Sequence, residues 1–236
     1  MAMILNEEQN LLRDSARDFV SDKGPVSAFR KIRDEKNADG FDKALWTEMA
    51  ELGWAGVIIP EEFGGADFGF QGLGVVLEET GRTLLPSPLV STIVLGSSAL
   101  MLAGSDEQKS ALLPAIAEGK CLMALAAEEG AHHAPYAVET AATADGDGWV
   151  LNGSKCQVLD GHVANQLIVT ARTSGASTDR NGISLFVVAA DSDGVEIEAL
   201  SMVDNRNSAN VKFANVRLDA SDALGTQDKG ADVLDA

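Results

Sequence analysis

The hydrophobic period changes near Gly119, and this change constrains the fold more than any other feature of the 236-residue chain. Before it, apolar residues recur three and four apart: Leu12, Ala16 and Phe19; then Leu45, Met49 and Leu52; then Leu73, Val76 and Leu77; then Leu112, Leu113 and Ile116. That spacing lines one face of an α-helix. After it, the period falls to about two, and turn pairs such as Asn181-Gly182 and Asp193-Gly194 punctuate the pattern. That is the signature of short, half-buried strands. Helices gathered before strands read as an α+β chain: an all-α domain at 1–119, an antiparallel β-barrel or sandwich-like domain at 120–225, and the opening of a cut-short helical domain at 226–236.

Helix signals are specific in places. Asn6-Glu7-Glu8-Gln9 and Ser105-Asp106-Glu107-Gln108 have the form of capping boxes, and Gly53 is placed to stop the helix expected over 42–52. The stretch 83–104 lacks any charge, but Pro86, Pro88 and its Ser and Thr residues interrupt it. A bilayer span needs about 20 mostly apolar residues, so a buried helix over 88–103 is expected and no membrane segment. A helix is also expected to begin in the tail, with Ala231, Val233 and Leu234 having nothing to bury against. Strands are expected over 121–127, 137–143, 149–151, 155–159, 166–171, 184–189, 195–199 and 209–217. Asn152-Gly153 reads as a two-residue hairpin turn, because both residues tolerate positive φ.

Charge and cysteine usage exclude function classes. Thirty-six acidic side chains against 18 basic ones give a net charge of −18, which argues against nucleic acid as a partner. Two cysteines, Cys121 and Cys156, are too few for a disulfide framework and fit a reducing, cytoplasmic compartment. His132 and His133 are two of three histidines. They read as a solvated loop or a ligand contact. A metal site is disfavoured, since no partnered cluster accompanies them. Gly64-Gly65 lacks the Lys-Ser/Thr of a phosphate loop. Trp46 and Trp54 are expected in the helical core.

Several phrases in order resemble the acyl-CoA dehydrogenase family. They are Val57-Ile58-Ile59-Pro60-Glu61-Glu62-Phe63-Gly64-Gly65, Leu77-Glu78-Glu79-Thr80-Gly81-Arg82, Gly104-Ser105-Asp106-Glu107-Gln108-Lys109, Asp147-Gly148-Trp149-Val150-Leu151-Asn152-Gly153-Ser154-Lys155 and Val211-Lys212-Phe213-Ala214-Asn215-Val216-Arg217. The shorter Asp204-x-Arg206-x-x-Ala209 is similar to bacterial and steroid-degrading members. The resemblance implies a helical domain, a middle β-domain and a C-terminal four-helix domain, of which the third is not matched beyond its opening. It also implies FAD as cofactor and α,β-dehydrogenation of an acyl-CoA thioester to enoyl-CoA. An oligomer is implied, homomeric or heteromeric, with an electron-transfer flavoprotein as a possible partner.

Site residues carry over by position. The family's Thr-Glu-Pro segment falls on Ala127-Glu128-Glu129, and its Gly-Ser-Asp on His132-His133-Ala134. Its flavin-facing Trp and Ser/Thr fall on Gln157 and Leu159. The implied cofactor contacts are therefore Ala126, Ala127, Gln157, Val158 and Leu159, and the implied substrate contacts are Glu128 and His133. No residue is assigned as catalytic base, because the family's base lies on the C-terminal domain. Three readings follow: a flavin-dependent dehydrogenase, a catalytically degenerate subunit of the same fold within a heteromer, and an oxidase-like relative reoxidised by oxygen.

Overall fold

A computed structural model describes residues 4–236. The chain divides into two compact units, one formed by residues up to Leu89 with Leu113–Lys120, the other by Val90–Leu112 with Cys121–Ala236.

In the first unit, α1 (Glu7–Lys23) opens on the expected capping box, with the Gln9 amide donating to Asn6 Oδ1 at 2.8 Å and the Asn6 amide to Gln9 Oε1 at 3.0 Å. The sequence pattern did not announce α2 (Val26–Asp34), which buries no residue. Asp42 caps α3 (Lys43–Glu51), and Gly53 follows in the left-handed region at φ +82°. α4 (Gly69–Arg82) buries Leu73, Val75 and Val76. Trp46 and Trp54 are buried as expected, Trp54 edge-on to Phe19 at 5.1 Å between ring centroids.

The uncharged stretch is not one α-helix. Leu89–Ser97 is a π-helix that runs into α5 (Ser98–Ala103) and, after Gly104, α6 (Asp106–Ala117). Runs of π-helix are rare and need tertiary support. Thr92 and Gly96 supply it within the second unit. Thr92 Oγ1 donates to Met123 O at 3.2 Å and accepts from Met123 N at 3.1 Å. A Cβ on Gly96 would stand 2.6 Å from Met123 Cβ, so only glycine allows that approach.

The second unit holds one mixed eight-stranded sheet: β1 (Met123–Ala126), β2 (Ala141–Asp145), β3 (Gly148–Leu159), β4 (Gln166–Arg172), β5 (Ile183–Ala189), β6 (Val195–Leu200), β7 (Ser208–Leu218) and β8 (Ala223–Leu224). Its order is β6-β7-β3-β2-β4-β5-β8, with β1 pairing β4. The pairing is antiparallel except for β1–β4 and the single β2–β4 pair, which are parallel, so the sheet is not purely antiparallel. Ala126, Leu151, Val158, Val169, Phe186, Val211 and Phe213 fill the core.

The Asn152-Gly153 turn does not form. β3 runs through both residues, and the hairpin turn lies earlier at Gly146-Asp147, where Gly146 alone takes positive φ, +65°. Two contacts explain the substitution of bulge for turn. Asn152 Oδ1 accepts the Asn215 amide at 2.8 Å, supporting a bulge in β7 where Asn215 has φ +54°. A Cβ on Gly153 would stand 2.5 Å from Thr140 Oγ1 and 2.6 Å from Thr140 Cα. The tail also departs from expectation: α7 (Gly230–Leu234) does find a surface, with Ala231 buried against Val138 and Ile183.

Gly153→Ala is expected to destabilise the protein by about 1–3 kcal/mol, through steric conflict with Thr140 and a φ of +148°. Urea denaturation checks this, and a midpoint equal to that of the parent protein would refute the close-approach role.

Candidate functional site

The strand period places Leu151, Gly153 and Lys155 on one face of β3, the face that meets the core. Lys155 therefore points inward, with 1% of its surface exposed. An ammonium has three protons to satisfy, and a buried one left unpaired is costly. Here each finds an acceptor: Glu129 Oε1 at 2.6 Å, Thr170 Oγ1 at 2.7 Å and Ala127 O at 3.3 Å.

Glu129 spends its remaining capacity on the backbone. Its carboxylate accepts the Glu139 amide at 2.7 Å and the Thr140 amide at 3.1 Å. Burial pushes the Glu129 pKa up, but the Lys155 charge and these donors outweigh it and hold the carboxyl below its ordinary value. Burial also pulls Lys155 down to about 8, against the opposing attraction of Glu129. Both partners are thus charged at neutral pH.

The preceding glutamate closes a smaller circuit. Glu128 Oε1 lies 2.6 Å from His133 Nδ1, and Oε2 accepts the Ala134 amide at 3.0 Å. The backbone excursion from 127 to 134 lies along the second half of β3, where Cys156 N donates to Glu128 O at 2.8 Å and Cys156 Sγ contacts Gly130 O at 3.2 Å.

The positions that the sequence marked for a ligand separate by exposure. Ala126 and Val158 are core residues, 0% and 1% exposed, and offer almost no surface to a ligand. Ala127 and Leu159 are half-buried, and Gln157 is exposed. Gln157 also sits in the left-handed region at φ +53°, within a bulge that sets Cys156 and Gln157 opposite Asn210. Glu128 and His133 are brought together by their hydrogen bond. His132 is exposed beside them.

The donor set can be compared with a flavin, whose ring has apolar faces and a polar edge. Gln157 offers a side-chain amide for the edge, and Leu159 and Ala127 offer apolar surface. Together they offer fewer contacts than an indole and a hydroxyl would provide. Among the described residues, no group of three or more His, Cys, Asp or Glu side chains is arranged to hold a metal ion. No helix among them is long and apolar enough to cross a membrane.

The sequence reading missed two groups. One is the Lys155–Glu129–Thr170 cluster, which the period-two phase of Lys155 with Leu151 would have exposed. The other is Asp160, 6% exposed, which accepts Ser91 Oγ at 2.6 Å. Burial raises the Asp160 pKa, with the Ser91 and Asn207 hydrogen bonds opposing. The third histidine, His162, has Nδ1 buried without a partner among the described residues.

Comparison with known proteins agrees with this architecture. Residues 6–120 match the family model "Acyl-CoA dehydrogenase, N-terminal domain", and residues 123–216 match "Acyl-CoA dehydrogenase, middle domain". Acyl-CoA dehydrogenase FadE12 of Mycobacterium tuberculosis is 30% identical over 233 residues, covering 96% of this chain and 58% of that protein. Cyclohexane-1-carbonyl-CoA dehydrogenase of Geobacter metallireducens is 35% identical over 228 residues, covering 93% of this chain and 57% of that one. A solved variant of the Tcur3481-Tcur3483 steroid ACAD superposes with a TM-score of 0.83 at 33% identity, covering 97% of this chain and 60% of that one. The chain thus spans a little under three-fifths of the curated relatives named here.

Glu129→Ala leaves the Lys155 charge buried without its counter-ion and is expected to cost about 3–5 kcal/mol. Converting both, Glu129→Gln with Lys155→Met, is expected to cost less. The folded protein holds the Glu129 proton less tightly than the unfolded chain does. The stabilisation is therefore present above the ordinary carboxylate value and is lost as pH falls through the lower, folded-state value. Urea midpoints measured from neutral to acid pH check this: the double variant should lose less stability on acidification than the parent. Equal losses would refute the account.

Proposed function

Because the chain belongs to the acyl-CoA dehydrogenase family, we propose that it serves in the α,β-dehydrogenation of an acyl-CoA thioester to the enoyl-CoA. The observation that carries this reading is the succession of the matched helical and middle domains, with the excursion after β1 laid along β3, where the resemblance implies the ligand contacts. FAD, when bound, supplies the acceptor for the hydride. Gln157 would hold the ring edge through its amide, while Leu159 and Ala127 would meet its apolar surface. A planar ring held this way leaves one face for the acyl chain, which is the alignment that the reaction requires.

The substrate contact is assigned to His133. Both Glu128 oxygens are engaged within the loop, so Glu128 orients the imidazole through Nδ1 and leaves Nε2 to face a polar group of the thioester. None of the described residues is assigned as the base for the α-proton. An electron-transfer flavoprotein is the partner that this reading calls for, and an oligomer is the expected state.

A second reading is favoured by one observation: the side chains at Gln157 and Leu159 supply neither an aromatic ring nor a hydroxyl. On this reading the chain is a catalytically degenerate subunit, paired with another chain that contributes most of the flavin contacts.

The visible absorption spectrum of the freshly purified protein separates the two readings. Bound flavin and oxidation of an acyl-CoA by the chain alone are expected on the first. A colourless, inactive protein that gains both properties only on mixing with a second chain supports the second. Gln157→Trp combined with Leu159→Thr is expected to tighten FAD binding about tenfold, roughly 1.4 kcal/mol from a stacked ring and one hydrogen bond. A flavin titration with no gain would overturn the roles given to these two positions.

A further inference from the structure

The segment Gln157–Leu159 is bracketed by two non-glycine residues in the left-handed region, Gln157 at φ +53° and Asp160 at +55°. Each such conformation costs on the order of 1–3 kcal/mol and persists where its surroundings determine it. At Asp160 those surroundings come from three places. Its backbone amide donates to Asn207 O at 3.2 Å, on the loop before β7, and its carbonyl accepts the Val163 amide at 3.1 Å. Its carboxylate accepts Ser91 Oγ at 2.6 Å, from the π-helix, and the Asn207 side chain also bonds to it.

Ser91 is itself immobilised. It is fully buried, and the next residue, Thr92, is bonded twice to the backbone of Met123 at the start of β1. Gly96, one helical turn on, packs against the same methionine. A line of contacts therefore runs from β1 through the π-helix to Asp160 and so to the end of β3. The π-helix presents Ser91 to Asp160, and Asp160 closes the corner that follows Val158 and Leu159, the two paired residues after the bulge that turns Gln157 outward.

We infer that Asp160 is a positioning residue of the candidate site: held by Ser91, it fixes the strained corner that presents Gln157 and Leu159 to a planar, polar-edged ligand of the flavin class. The inference rests on the proposed function and names what sets the shape of its ligand-facing strand. It also assigns the π-helix a task. It carries Ser91 beside Thr92 and Gly96, whose contacts with Met123 hold the helix against β1.

The test uses the full chain with FAD as probe. Two quantities are measured: FAD affinity by fluorescence titration, and amide hydrogen exchange at residues 157–160. Asp160→Ala and Ser91→Ala are each expected to weaken FAD binding about tenfold and to speed exchange at 157–160, with exchange at β5 unchanged. Asp160→Asn keeps an acceptor for Ser91 and tolerates the left-handed region, so it is expected to stay within about threefold of the parent in both measurements. That rescue separates positioning from a general loss of stability, which would not spare β5. Parental affinity and exchange in Asp160→Ala would overturn the inference, as would an Asp160→Asn variant as impaired as Asp160→Ala. If Asp160→Ala does not fold, Ser91→Ala carries the same expectations. If the parent takes up no FAD, the first reading of the proposed function fails. The exchange data then decide the inference alone: faster exchange confined to 157–160 supports it, and unchanged exchange overturns it.

Discussion

A charged ammonium inside a β-sheet is the constraint on which the second unit depends. The idealised cost of moving such an ion out of water exceeds the net stability of most domains, and it is recovered only with close, complete pairing. Lys155 obtains that pairing from three parts of the chain: the end of β1 at Ala127, the excursion at Glu129, and β4 at Thr170. Strand β3 cannot keep its inward phase unless all three stand where they do. The Glu129 carboxylate then passes the constraint on, since the amides of Glu139 and Thr140 bind it just before β2. A single ion pair thereby fixes both ends of the excursion from β1 to β2.

This explains why two adjacent glutamates have different tasks. Glu129 faces inward and is spent on structure. Glu128 faces the outer side of the same loop, where it holds an exposed imidazole and a backbone amide. Sequence position alone gives no basis for choosing between them. The choice comes from which one reaches Lys155, and that is settled by the phase of β3 through Leu151 and Gly153. The ligand-facing candidates are consequently those that the ion pair leaves over: Ala127, Gln157, Leu159 and His133.

Local chemistry with a single solution was legible in the sequence. The capping boxes at Asn6 and Ser105 formed because side chain and backbone lie three residues apart in any helix that starts there. The strands β4 to β7 were legible from period and turn residues. Features decided by distant neighbours were not. Asn152-Gly153 satisfies the rule for a hairpin turn, yet Asn215 and Thr140, from β7 and from the approach to β2, hold it inside β3 opposite a bulge in β7. The π-register of Leu89–Ser97 depends on Met123, and the burial of Ala231 depends on Val138 and Ile183. In each case the deciding atom lies far away in sequence, where neither periodicity nor propensity can register it.

The same separation applies to the candidate site. A family resemblance carries over the positions of Gln157 and Leu159, but what those positions can do depends on backbone shape. Between Lys155 and Asp160 the chain holds one inward charge, one bulge and two left-handed residues. Strain of this kind is retained where a surface must point in a direction that a regular strand would not give. A regular strand would continue the alternation from Lys155 and turn Gln157 inward with Leu151. The extra residue of the bulge instead sends Gln157 out and returns Val158 to the core. The core thus stays filled by Val158 while the polar amide is delivered to the outer face, and the shape of the site follows from the packing requirement beneath it.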